Sequence, residues 1–142
     1  RHQTIQYSQN AYTLPLLGGF HRIGLTEAQA QREYSKIQTL TTATEYARLS
    51  ESNALYCKLV LLQSGTIIGI HLLGLSHSDI PSIFEHIIQK RLTIHDLPQQ
   101  AIAVPILQQL FEDSHRQWIQ IEPSQNRDRL EKYFRAKRKQ FS

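Results

Sequence analysis

Residues 54–74 read ALYCKLVLLQSGTIIGIHLLG, and this stretch decides the fold. Two apolar runs, residues 54–62 and 66–73, are separated by the short polar segment Gln63-Ser64-Gly65. Short runs of apolar and β-branched residues on either side of a glycine-containing loop are typical of a β-hairpin. The sequence therefore predicts two antiparallel strands joined by a tight connection, with Gly69 at a close backbone approach and Gly74 at the strand exit.

Alternate residues of a β-strand point to opposite faces of the sheet. In the first strand, one set of alternate residues is Leu55, Cys57, Leu59 and Leu61. The other set is Tyr56, Lys58, Val60 and Leu62. Both sets are largely apolar, so we expect both faces to be covered, one by helices and the other by a second subunit.

A helix is predicted after the hairpin, over residues 79–92. Ser78 is the expected N-cap, and Pro81 fits the first turn, where a missing N–H costs no hydrogen bond. Apolar residues then recur at helical spacing and form one stripe. The members of this stripe are Ile80, Ile83, Phe84, Ile87 and Ile88.

Upstream of the hairpin, Thr26-Glu27-Ala28-Gln29 has the form of a capping box and predicts a short helix over residues 27–34. Residues 37–44 are rich in β-branched side chains and predict a strand. With the hairpin, these elements indicate an α+β domain in which helices pack on a mixed or antiparallel sheet. The predicted domain covers residues 13–122, preceded by a remnant of an interdomain connection in residues 1–12.

The last third of the chain is predicted to be helical in two pieces. After Pro105, apolar residues repeat with helical spacing as far as Ile119. Pro123-Ser124 is expected to end this helix, because proline disrupts a helix interior. A separate basic helix is predicted from about Gln125 to Phe141, within a C-terminal extension of residues 123–142. Its basic side chains include Lys132, Arg135, Arg138 and Lys139.

Length and charge limit the classes of function. A chain of 142 residues is one domain with at most an appendage. The net charge of +4 is concentrated at the end, because residues 127–142 hold seven Lys and Arg against two acids. The remainder is close to neutral, which argues against reading the whole fold as a nucleic-acid binder. The chain has no Met, so Arg1 is expected to be the first residue of an excised or processed fragment.

Cysteine and histidine patterns do not indicate a redox or metal centre. Cys57 is the only cysteine, which excludes an internal disulfide, a CxxC pair and a multi-cysteine zinc site, and is expected to be a small buried hydrophobe. Low cysteine use favours a reducing compartment, and we expect a cytoplasmic protein. His71, His77 and His86 lack a ligand spacing such as HExxH, and no glycine-rich phosphate loop is present. We therefore expect no metal site and no cofactor site in these residues.

Several segments, in order, resemble the dimerisation domain of the pyridine nucleotide-disulfide oxidoreductase family, which includes dihydrolipoamide dehydrogenase, glutathione reductase and mercuric reductase. Ile23-Gly24-Leu25-Thr26-Glu27-Ala28 is similar to the family's VGLTEAxA, and Glu45-Tyr46-Ala47-Arg48 resembles its ARA segment. Cys57-Lys58-Leu59-Val60 resembles its xKLV strand, and residues 67–74, IIGIHLLG, resemble its ILGxHIxG. Thr93-Ile94-His95-Asp96-Leu97 matches its TxxDL.

The resemblance implies a domain that forms a homodimer within a larger enzyme that binds FAD and NAD(P) elsewhere. The hairpin and the following helix are the family's usual interface elements. The predicted interface side chains are Leu59, Leu61, Ile68, Ile70, Ile80, Phe84, Ile87 and Ile88. The fragment alone would not be catalytic, whereas its parent would transfer electrons between a nicotinamide nucleotide and an acceptor through FAD.

One family motif is altered. The family's HxHPTxxE places a His and a Glu near the partner subunit's flavin, where the His acts as general acid and base. Alignment on Pro105 puts Val104 at the His position, Gln109 at the Glu position and Ile102 at the earlier His. The resemblance therefore implies that the catalytic dyad is missing. Mercuric reductases use a C-terminal cysteine pair instead, but no cysteine follows Cys57.

A second function from another class stays open. A domain of this fold could serve as a binding module whose basic C-terminal helix contacts an anionic membrane surface, nucleic acid or an acidic partner. The sequence alone does not decide between this function and the dimerisation domain of a flavoprotein.

Overall fold

The structure is a computed structural model that describes residues 12–14, 19–48 and 51–141. Side chains are described for residues 19–43, 55–122, 131 and 134–139. The predicted connection in residues 1–12 therefore lies outside the described residues, except for Tyr12.

The described elements are five strands, three α-helices and one 3₁₀ turn. The strands are β1 (Tyr12–Leu14), β2 (Phe20–Gly24), β3 (Ile37–Arg48), β4 (Glu51–Leu62) and β5 (Ile67–Leu73). The helices are α1 (Glu27–Glu33), α2 (Ile80–Gln89) and α3 (Pro105–Phe141), and the 3₁₀ turn is Leu97–Gln99. The α+β fold predicted from the sequence is confirmed.

The strands form one antiparallel sheet in the order β1-β2-β5-β4-β3. The predicted hairpin is β4–β5, in which Cys57 pairs with Leu72 and Leu59 pairs with Ile70. β3 and β4 also pair with each other over 12 residues each in continuous register, so β3 extends to Arg48, beyond the predicted strand of residues 37–44. The sheet is therefore all antiparallel, which settles the alternative between a mixed and an antiparallel sheet.

One face of the sheet is covered by α2 and α3 and forms the main core. From β4 it contributes Leu55, Cys57, Leu59 and Leu61, all 0% exposed. Opposite them, α2 contributes Ile80, Phe84 and Ile87, and α3 contributes Leu107, Leu110, Phe111 and Trp118. The predicted apolar stripe of α2 is thus confirmed as the core-facing side, with Ile83 partly buried against it.

A polar link inside the core fixes α3 against β3. The hydroxyl groups of Thr42 and Ser114 lie 3.2 Å apart and are both buried. Ser114 donates a 2.9 Å hydrogen bond to the carbonyl of Leu110, and Thr42 donates to the carbonyl of Cys57. Buried hydroxyls satisfied in this way fix the position of the helix without leaving unpaired polar groups.

Among the described residues, α1 covers part of the opposite face. The predicted capping box is confirmed, since Thr26 Oγ1 accepts from the Gln29 N–H and Gln29 Oε1 accepts from the Thr26 N–H. Behind this cap, Leu25, Ala30 and Val60 form a second, smaller core. Gly69 allows this packing, because a side chain there would overlap the carbonyl oxygen of Leu25.

Two boundaries differ from the sequence predictions. The N-cap of α2 is Asp79, without a side-chain cap bond, and not Ser78. The predicted break at Pro123-Ser124 is wrong, because α3 continues through Pro123 to Phe141. A proline removes one hydrogen bond, here to the carbonyl of Ile119, whose residue is 45% exposed and can be hydrated. The flanking sequence is rich in good helix formers, which favours continuation of the helix.

Candidate functional site

Six of the eight predicted interface side chains lie inside the core of the single chain. Leu59, Leu61, Ile70, Ile80, Phe84 and Ile87 are each 0% exposed. A side chain without accessible surface cannot contact a second copy of the chain. The prediction that these six side chains lie in the interface is therefore wrong. The apolar hairpin was predicted correctly, but Leu59, Leu61 and Ile70 belong to the set of alternate residues that faces the core and not to the set that faces outward.

The other two predicted interface residues lie nearer the surface. Ile68 is half-buried and packs against the small core beneath α1. Ile88 is 7% exposed, at the C-terminal end of α2. Their contact with a second copy stays a prediction.

The hairpin does present an exposed surface on the side away from α2 and α3. Strand registers place side chains on this side in two cross-strand rows. One row is Arg22, His71, Lys58 and Thr41. The next row is Phe20, Leu73, Tyr56 and Ala43. We call these eight residues the open sheet face.

The open sheet face is apolar at its centre and basic along one side. Tyr56 is 47% exposed, and Phe20 and Leu73 are partly buried beside it. A cavity of about 150 Å³ opens here. Its lining residues are Phe20, Thr41, Tyr56, Cys57, Lys58, His71, Leu72 and Leu73. A half-exposed aromatic residue beside a depression is the kind of surface that protein–protein contacts use.

The row that contains Arg22, His71 and Lys58 makes a polar contact with α1 and another with the chain just before it. Lys58 Nζ lies 2.7 Å from Glu27 Oε1, and both side chains are 40% exposed. His71 Nε2 lies 3.3 Å from the carbonyl oxygen of Leu25. Burial lowers the pKa of His71, the Leu25 carbonyl opposes this shift, and the charges of Arg22 and Lys58 add to it. His71 is therefore disposed to be neutral, which limits the positive charge of the open sheet face at neutral pH.

The segment where the resemblance places the family dyad forms the start of α3. Val104 is 3% exposed, and its carbonyl accepts the first helical bond, from the Gln108 N–H at 2.9 Å. Pro105 follows as the first helical residue, which suits proline. Gln109 is exposed, and Ile102 is 66% exposed. No residue from Ala101 to Gln109 carries a titratable side chain.

Cys57 lies in the main core, as the sequence predicts. It is 0% exposed, and burial raises the pKa of its thiol to about 12. A protonated, inaccessible thiol is neither a nucleophile nor a metal ligand at neutral pH.

The histidines His71, His77 and His86 lie on different elements of the fold. His71 is on β5, His77 accepts a 3.1 Å hydrogen bond from the Asp79 N–H, and His86 is exposed on α2. Among the residues that the structure describes, no group of three or more His, Cys, Asp or Glu side chains could hold a metal ion.

The basic end of α3 is exposed wherever its side chains are described. Arg135, Arg138 and Lys139 are exposed, as is Phe134 at 54%. The side chain of Lys132 lies outside the described set. Across the described part of the chain, no helix is both long enough and apolar enough to cross a membrane.

Comparison with known proteins gives one family and several solved structures. Residues 11–115 match the family model described as pyridine nucleotide-disulphide oxidoreductase, dimerisation domain. The water-forming NADH oxidase from Lactobacillus brevis is similar over 79% of this chain, with 19% identity and a TM-score of 0.60. LpdA from Mycobacterium tuberculosis is similar over 78%, with 16% identity and a TM-score of 0.59. No curated protein sequence matches.

These similarities cover only a minor part of each solved chain. The matched region is 28% of the NADH oxidase and 25% of LpdA. A third structure, an NAD-dependent persulfide reductase from A. fulgidus, is matched over 18% of its length, with 17% identity and a TM-score of 0.52. At these identities the structures show a shared fold.

Proposed function

The chain belongs to the pyridine nucleotide-disulphide oxidoreductase family as a dimerisation domain, and from this premise we propose that it forms the homodimer of a flavin-dependent enzyme. The FAD and NAD(P) sites of that enzyme would lie outside these 142 residues. The similar solved structures support this proposal, since one is an NADH oxidase bound to NADH and another is described as an NAD-dependent persulfide reductase. A cytoplasmic location is part of the same proposal and is supported by the single, buried cysteine.

The exposure of Tyr56 on the open sheet face is the main support for the proposed homodimer. Elsewhere on the sheet, wherever side chains are described, large apolar residues are mostly covered by α1, α2 and α3, whereas Tyr56 is 47% exposed in the last residue pair of the β4–β5 hairpin, opposite the partly buried Leu73. An aromatic residue flanked by apolar side chains and bordered on one side by polar ones fits the composition of a protein–protein interface. We propose that this face contacts a second copy of the domain.

The fragment itself is proposed to be non-catalytic. No titratable group occupies residues 101–109, and the thiol of Cys57 is buried. The purified chain should be colourless and should not oxidise NAD(P)H. Flavin retained at one equivalent per chain, or turnover by the fragment alone, would contradict this part of the proposal.

For the parent enzyme, we propose an acceptor that requires no acid from this domain. A positioned general acid contributes about 10²–10⁴ in rate when a thiolate leaves. Neither Val104 nor Gln109 can supply that proton. A quinone, a metal ion or another electron carrier would not need it.

The test is to assay the full-length parent with lipoamide, glutathione disulfide and quinones. The same assays on Val104→His combined with Gln109→Glu probe the missing dyad directly. Disulfide reduction by the unaltered parent at rates typical of efficient reductases would refute the proposal. A gain of disulfide reduction only in the double variant would support it.

A further inference from the structure

Two histidines that are 20 residues apart in the sequence face each other at the surface. His95 lies in the turn before the 3₁₀ segment, and His115 lies on α3. His95 Nδ1 is 3.1 Å from His115 Nε2. The ring centroids are 5.3 Å apart, and the rings are nearly perpendicular at 87°. Two ring nitrogens are therefore directed at the same small volume between the turn and the helix.

The turn that carries His95 is held firmly in place. Ile94 and Leu97, on either side, are both 0% exposed in the main core. The Asp96 carboxylate accepts hydrogen bonds from the N–H and the hydroxyl of Thr93 at 3.0 Å and 3.2 Å. Because both ends of the turn are anchored, the His95 side chain projects from a backbone of fixed position.

His115 projects from an equally rigid support. Ser114 before it is 1% exposed and hydrogen-bonded to Leu110, and Trp118 after it is 2% exposed. The His115 backbone is therefore fixed by the packing of α3 on the sheet. Only the side-chain torsions of the two histidines need to adjust to a ligand.

A carboxylate lies on the far side of the His95 ring. Glu122 is seven residues after His115, so the two side chains lie on the same face of α3 about two turns apart. Glu122 Oε2 is 3.7 Å from His95 Nε2. This charge favours the His95 tautomer that carries its proton on Nε2, which leaves the lone pair of Nδ1 directed at His115. A histidine ligand oriented by a carboxylate at its other ring nitrogen is a recurrent arrangement at metal sites.

We propose that His95 Nδ1 and His115 Nε2 form a surface site for a divalent late transition metal of the zinc, nickel or copper class, with Glu122 as the residue that positions His95. Neutral imidazole is a preferred ligand for these ions. Two nitrogens bound to tetrahedral zinc at ~2.0–2.1 Å would lie about 3.3 Å apart, and a right-angled pair on another ion would lie about 2.9 Å apart. The observed separation of 3.1 Å falls between these values.

Binding requires only a small rearrangement. With the His95 proton on Nε2, as Glu122 favours, the 3.1 Å hydrogen bond is donated by His115 Nε2 to His95 Nδ1. A metal ion takes the place of that proton once His115 shifts to the tautomer protonated on Nδ1, so no net proton release is needed. The described residues offer no third protein ligand, so water completes the coordination sphere and the site binds more weakly than a four-ligand structural site.

The experiment is a calorimetric titration of the untagged 142-residue chain with Zn²⁺ and Ni²⁺, accompanied by NMR of the histidine ring protons. We expect one ion per chain and shifts at His95 and His115. His95→Gln and His115→Gln should each abolish saturable binding over the concentration range in which the unaltered chain saturates. Glu122→Gln should weaken binding by about tenfold or more while keeping the same stoichiometry.

Control measurements separate this site from general surface binding. His86→Gln removes another exposed histidine and should bind as the unaltered chain does. Mg²⁺ should not compete, because it prefers oxygen ligands. The proposal is overturned if the unaltered chain shows no saturable binding at millimolar Zn²⁺. It is equally overturned if binding survives unchanged in both His95→Gln and His115→Gln.

Discussion

Truncation of Tyr56 to alanine should weaken the homodimer strongly and leave the single chain folded. A tyrosine side chain presents roughly 200 Å² when fully accessible, and Tyr56 retains 47% of its accessible area in the single chain. Covering the remaining ~90 Å² in a dimer is worth about 2 kcal/mol at ~25 cal/mol per Å². A twofold dimer buries this residue twice, so the loss is about 4 kcal/mol and the dissociation constant rises about a thousandfold.

Sedimentation equilibrium over a range of protein concentrations measures this change. Ile119→Ala is a matched control, because Ile119 is 45% exposed but lies on α3, away from the open sheet face. The control should dimerise as the unaltered chain does, and thermal unfolding should show that both variants are folded. A change of less than tenfold for Tyr56→Ala would refute the assignment of the open sheet face to the dimer contact.

Three further predictions concern stability and the C-terminal helix. Gly69→Ala should lower the free energy of unfolding by about 1–3 kcal/mol in chemical denaturation, because the new methyl group overlaps the Leu25 carbonyl. Ser82→Ala, on the exposed side of α2, is the control and should leave that free energy nearly unchanged. Burial lowers the pKa of His21 and His71 below the ordinary value of 6.5. The free energy of unfolding should therefore be highest above pH 6.5 and decrease as the pH falls below it. His71→Gln should reduce this pH dependence in unfolding measurements. Deleting residues 125–142 should leave the dimer intact and abolish any salt-sensitive binding to anionic vesicles or nucleic acid. Binding that does not depend on salt would contradict an electrostatic role for residues 125–142. Loss of the dimer on deletion would contradict the prediction that these residues are not needed for dimerisation.

Local signals in the sequence were sufficient for most elements of the fold. The glycine-containing loop after Leu62 predicts the β4–β5 hairpin, and Thr26 with Gln29 predicts the start of α1, because both depend on neighbouring residues alone. The stripe of α2 predicts its buried side for the same reason.

Features that depend on distant parts of the chain could not be predicted in this way. Period-2 alternation shows that β4 has two faces, but only the packing of α2 and α3 decides that Leu59 is inside and Tyr56 outside. The proximity of His95 and His115 has no sequence signature, since a turn and a helix bring them together. The continuation of α3 through Pro123 likewise reflects the balance along the whole helix and not the proline alone.

The oligomeric state of the 142-residue chain provides the most direct test of its assignment as a dimerisation module. Sedimentation velocity at increasing protein concentration should show a species of twice the chain mass, 33 kDa against the 16.5 kDa of a single chain, at about neutral pH and moderate salt. A well-folded monomer that persists at the highest concentration, with Tyr56 still exposed and no tendency to associate, would contradict the account.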